Sequence, residues 1–122
     1  NVTIPGSVTR IGVVAFGNCE ALTNMVIPEG VTELDSNAFC ECSGLTRLTL
    51  PNSLYAIGQD AFSDCTGLTS VTIPAGVRST GETLFYGCTN LSTLIFLGEA
   101  PTTRWANATF SNTVRSFKSR KS

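Results

Sequence analysis

The chain has 122 residues, 42% apolar and 14% charged, with five cysteines, no histidine and a net charge of −1. That is enough for one domain with its own core, and it argues against disorder. No run approaches the roughly 18 apolar residues of a membrane span, no signal peptide is visible, and the commonest proton shuttle of catalysis is missing.

The first predicted element is a short strand in which Val2 and Ile4 flank Thr3, stopped by Pro5, which has no N–H to continue the pairing. Val8 and Ile11 follow, Gly12 supplies a corner that tolerates a left-handed backbone, and a second short strand is possible after that corner. Ala15-Phe16 reads as a brief helical turn ending near Cys19, after which Leu22 leads into the next strand.

The same elements then return every 23 residues. Strand columns read Val2, Met25, Leu48, Val71, Leu94 and Ile4, Ile27, Leu50, Ile73, Phe96, with Pro5, Pro28, Pro51, Pro74 behind them. Further columns are Val8, Val31, Leu54, Val77; Ile11, Leu34, Ile57, Thr80; Gly12, Asp35, Gly58, Gly81; and Phe16, Phe39, Phe62, Phe85. Cys19, Cys42, Cys65, Cys88 and Leu22, Leu45, Leu68, Leu91 complete the unit. Asn37, Asp60 and Thr83 stand where an N-cap would serve the helical turn. One unit cannot bury its apolar side alone; stacked units can, with like strands in parallel about 4.8 Å apart. The fourth unit departs, with Thr80 in an aliphatic column and Leu84 in place of alanine, a pairing that suggests local repacking.

Leu45-x-x-Leu48-x-Leu50 and Leu68-x-x-Val71-x-Ile73 fit L-x-x-L-x-L, so the chain resembles the leucine-rich repeats. "VTIP", then Ile57-Gly58, Ala61-Phe62 and Cys65-x-x-Leu68 make it similar to the BspA-like branch. The resemblance implies an α/β fold: a right-handed solenoid of 23-residue coils, with a parallel sheet on its concave face and short helical turns on the convex side. It also implies a surface or secreted binding protein of the kind found in anaerobic bacteria and parasitic protozoa.

The organisation expected is a solenoid over 1–100 with four full coils and a fifth strand. A degenerate closing repeat follows over 101–114, where Phe110 falls two residues late, and then a basic flexible tail over 115–122. The tail holds Arg115, Lys118, Arg120 and Lys121 without an acid, leaving four basic against nine acidic side chains elsewhere, or −5. A tail of this kind suits phosphates or an anionic membrane, or is a solvated end, the reading adopted; the acidic body argues against nucleic acid. The opening Asn1 lies inside a repeat, so the chain reads as a piece of something longer. Its open first coil, Val2 to Ile4, suits end-to-end self-association.

The cysteine column is read as a buried ladder of reduced thiols, with disulfides between rungs possible on distance. Cys40, off the column, is the candidate for oxidation or intermolecular pairing. Cys40-x-Cys42 lacks metal-ligand spacing, so neither metal nor cofactor is expected.

Carboxylates scatter and glycines stand singly, so the chain reads as a non-enzyme. The expected role is binding of a protein or glycan on a host or neighbouring cell, hence extracellular or cell-surface, through the outward strand residues. These are Asn24, Val26, Arg47, Thr49, Ser70, Thr72 and Thr93, with Thr3 and Ile95 beside them. Tyr55, Tyr86 and Trp105 are alternative anchors. The rivals are a purely structural spacer and, on the threonine ranks Thr23-Thr46-Thr69 and Thr3-Thr49-Thr72, an ice-binding face. Glycan acceptor patterns begin at Asn1, Asn90 and Asn107, with Asn90 best placed.

Overall fold

Each coil crosses three walls, and in every wall backbone groups of one coil bond to groups 22 to 24 residues away in the next coil. The computed structural model describes residues 2–81 and 83–98, and the backbone of 116–119.

The first wall carries strands β2 (Asn24–Val26), β4 (Arg47–Thr49), β6 (Ser70–Ile73), β8 (Thr93–Phe96) and β9 (Ser116–Ser119). All pairing within it is parallel: Met25 faces Leu48, Val71 faces Leu94, and Leu94 faces Phe117. Pro28, Pro51 and Pro74 follow β2, β4 and β6 as expected, whereas the strand expected at Val2 to Ile4 ahead of Pro5 does not form. The second wall is a second short strand, which lies before the Gly12 column rather than after it as expected: β1 (Arg10–Ile11), β3 (Glu33–Leu34), β5 (Ala56–Ile57) and β7 (Ser79–Thr80) in one parallel sheet.

The third wall corrects the expected helical turns. No helix occurs among the described residues. The Ala-Phe segment is a turn whose amides donate alternately within the coil and to the next one: Phe16 N–H to the Ala38 carbonyl (2.8 Å), Phe39 to Ala61 (2.8 Å) and Phe62 to Leu84 (3.1 Å). The supposed N-caps Asn37, Asp60 and Thr83 have left-handed backbones, with φ of 54–60°, as does Val14 in their column. A second such column, Asn18, Glu41, Asp64 and Gly87, lies four residues on. Two left-handed residues bracketing each turn rule out a run of helical φ and ψ. The outcome is a parallel-strand β-solenoid rather than an α/β one.

The corner column is also corrected. None of Gly12, Gly58 and Gly81 has a positive φ. Glycine is needed at Gly58 for room, because a Cβ there would sit 2.5 Å from the Ser36 amide nitrogen.

Inside, Phe16, Phe39, Phe62 and Phe85 stand in one file, with centroids 5.1, 5.6 and 5.7 Å apart and planes within 11° of parallel. The last three are fully buried, and Phe16, in the first coil, is half-buried. Beside them the cysteines are free thiols. Three of them donate to the phenylalanine carbonyl of the coil before: Cys42 Sγ to Phe16 O (3.0 Å), Cys65 to Phe39 (3.1 Å) and Cys88 to Phe62 (3.0 Å). Cysteine therefore supplies a small apolar body and a weak donor that satisfies a carbonyl in the core. In the fourth coil Leu84 is fully buried and Thr80 half-exposed, so the core volume shifts from one column to the other.

Residues 116–119, expected from sequence to belong to a basic tail, form β9, in register one full repeat beyond β8. The closing segment 101–114, with Trp105, Asn107 and Phe110, lies outside the described residues, as does Asn1. No helix among the described residues is long and apolar enough to cross a membrane.

Candidate functional site

The first wall sets two outward columns side by side. Strand alternation turns Met25, Val71 and Leu94 into the core, so their neighbours face out. The register stacks Asn24 beside Arg47 and Val26 beside Thr49, and likewise Ser70 beside Thr93 and Thr72 beside Ile95, while β4 packs next to β6 and so sets the two pairs of files on one face. All seven sequence-nominated residues therefore lie on one face. Asn24, Val26, Arg47, Thr49, Ser70 and Thr72 are exposed, while Thr93 and Ile95 are half-buried. Neither file contains a carboxylate. Among the described residues the ion pairs are made by Arg10, with Asp35 and Glu33, and Arg47 has no such partner.

The rank beside this face turns its hydroxyls inward along the coil axis. Thr46 Oγ1 donates to the Thr23 carbonyl (3.1 Å), and Ser92 Oγ to that of Thr69 (3.4 Å). Donors committed to backbone are not free for an ordered water lattice. Asn90, the favoured glycan acceptor, donates its side-chain amide to the Thr66 carbonyl (2.7 Å), and Leu91 behind it is buried.

The other nominated anchors lie elsewhere. Tyr55 donates its hydroxyl to Glu33 (2.9 Å), next to the Arg10–Asp35 pair, and Tyr86 is exposed on the third wall. A groove of about 410 Å³ runs along the second wall from Arg10 and Asp35 over Ala56, Gly58, Ser79 and Gly81. Cys40 is half-buried, and burial pushes its thiol above the ordinary range. The neighbouring Cys42 thiol and burial hold Cys65 protonated, and burial pushes Cys88 up to about 12. These thiols are poor nucleophiles as placed.

One feature of the strand face carries no sequence signal. β2 pairs with β4 and β6 with β8, but among the described residues no backbone bond joins β4 to β6. A cavity of about 200 Å³ opens at that seam, lined by Leu48, Thr49, Leu50, Asn52, Thr72, Pro74 and Leu97. Leu48 and Val71 both fit their apolar column, so nothing in the repeat distinguishes this junction from its neighbours.

Residues 1–117 match six copies of the BspA type leucine-rich repeat region, and the chain belongs to that family. Among solved structures it is similar to a leucine-rich cell surface protein from Faecalibacterium prausnitzii A2-165 (23% identity, TM-score 0.85), covering 98% of this chain and 31% of that one. It is also similar to the pneumococcal vaccine antigen PcpA (20% identity, TM-score 0.83), covering 97% of this chain and 29% of the other. A leucine-rich repeat protein from Bacteroides capillosus is 32% identical with a TM-score of 0.69, over 75% of this chain and 64% of that one. The chain thus spans less than a third of the first two proteins. No curated protein matches.

Proposed function

We propose that this chain is a non-catalytic recognition module of an extracellular or surface-exposed protein, and that it binds another protein through the outward face of β2, β4, β6 and β8. The observation that carries this reading is the face itself: an acid-free array of small hydroxyl and β-branched side chains around an arginine without an ion-pair partner. Stacked repeats commonly recognise partners through such extended walls. A cell-surface setting is supported by the relative described as a cell surface protein. Protein is favoured over glycan because no aromatic side chain stands on the two outward files to stack against a sugar ring.

The test is binding of the labelled chain to intact bacterial and epithelial cells, before and after protease or glycosidase treatment of those cells. Binding that protease abolishes, and that falls about tenfold in the Arg47→Ala/Thr49→Ala double variant with its circular dichroism unchanged, is the expected result. Unchanged affinity in the double variant moves the site off this face. Glycosidase-sensitive binding replaces protein with glycan, and no binding to any cell favours the spacer role.

A further inference from the structure

We propose that the seam between β4 and β6 anchors the partner. An aliphatic side chain from an extended segment of the partner enters between Thr49 and Thr72 onto Leu48 and Leu50, while a carboxylate one or two residues away meets Arg47. This rests on the reading of the strand face as a protein-binding surface and says where on that face the affinity lies.

Three independent observations converge there. The first is the broken ladder. Elsewhere on this wall Thr46 N–H reaches the Thr23 carbonyl (2.9 Å), Ser92 N–H the Thr69 carbonyl (3.0 Å) and Ile27 N–H the Thr49 carbonyl (3.0 Å). The equivalent rungs from Thr69 to Thr46 and from Leu50 to Thr72 are not made. Backbone groups that lose a rung keep an unmet demand for a partner, which an extended peptide can supply.

The second is a leak in the core. Met25, Val71 and Leu94 are at most 1% exposed, yet Leu48 in the same column is only half-buried. The inward apolar column is thus reachable from outside at Leu48, beside the exposed Val26 on the paired strand. The lining is apolar below (Leu48, Leu50, Pro74, Leu97) and carries two threonines at the mouth. A pocket floored this way gains by excluding water from an aliphatic group, and Thr49, Asn52 and Thr72 offer polar partners to the peptide backbone beside it.

The third is charge. Arg47 stands on β4 two residues before Thr49, without an ion-pair partner among the described residues, on a face lacking any carboxylate. A cationic segment is repelled there, and an acidic one is drawn in. The occupant that satisfies all three is a peptide segment with Leu, Ile, Val or Met close to Asp or Glu.

The probe is a phage-displayed library of random linear peptides selected on the full 122-residue chain, with selected sequences resynthesised for fluorescence anisotropy. Enrichment of an aliphatic residue within two positions of an acid is expected. Affinity should fall about tenfold or more in Thr72→Phe, which closes the mouth from an exposed position, and in Arg47→Glu. Asn52→Trp, on the opposite rim, gives the same block should Thr72→Phe disturb folding. Peptides that ignore Thr72→Phe and Asn52→Trp but are lost in a Ser70→Lys/Thr93→Lys variant overturn the seam and leave the strand-face reading standing. Peptides that ignore all of these variants overturn both, and failure to enrich any sequence overturns the seam.

Discussion

At the scale of single residues, the coil imposes two demands that look alike in sequence and differ in physics. Gly58 sits where the chain passes so close to the previous coil that a methyl group would meet the Ser36 amide at 2.5 Å, whereas Gly12, in the same column, has open space around it. Gly58→Ala should therefore cost about 1–3 kcal/mol in urea unfolding, the usual range for overpacking, and Gly12→Ala should be close to neutral. Equal costs at both positions would mean that the column is governed by something other than contact between coils. The positive-φ positions went the other way. The sequence suggests a left-handed backbone at the glycines; it falls instead on Asn37 and Asp60, whose side chains are among the better tolerated there, and on Val14 and Thr83, which are β-branched and have no such preference.

At the scale of elements, strands were legible and turns were not. Alternation such as Leu48-Thr49-Leu50 has one reading, and the parallel register of like columns followed from the fixed 23-residue spacing. The Ala-Phe turn had two readings, since a polar residue before an apolar pair marks either an N-cap or a left-handed corner. Bonding to the next coil decides between them, and no local signal reports it. The cysteine element depends on the same bonding. Cys65 and Cys88 each donate a hydrogen bond to a carbonyl in the core. The Cys42 thiol with burial for the first, and burial for the second, keeps them neutral, whereas the Cys65 thiol lowers Cys42 to about 7. For Cys88 the folded pKa is about 12 against an ordinary 9.0. A group raised on folding stabilises fully below its unfolded pKa and loses that contribution as pH climbs to the folded one. Stability from this source should accordingly hold below about pH 9 and decline between pH 9 and 12. Cys88→Ala should show a shallower alkaline loss in urea midpoints than the parent. Identical alkaline slopes would mean that the thiol is not held neutral by the core.

At the scale of the whole molecule, the repeat gave the architecture and withheld the site. The period even continues beyond the stretch where it was first traced, since Phe117 lies one repeat after Leu94 and pairs with it; the cluster of basic residues around it drew the reading toward a tail. The outward strand residues could be placed on one face from sequence, because register follows from spacing. The seam between β4 and β6 could not, because it arises from how two ordinary coils meet rather than from any unusual side chain. A stack of coils also has no separate core for each unit, so damage in one file spreads along the stack.

The coil stack itself is tested most directly by equilibrium urea unfolding of Phe62→Ala. Phe62 is fully buried between Phe39 and Phe85, with ring centroids 5.6 and 5.7 Å away. The account predicts a loss of about 3–5 kcal/mol, the usual cost of emptying a core phenylalanine. An unfolding midpoint that does not move would place that ring outside the molecule and contradict the stacked fold on which the proposed binding face depends.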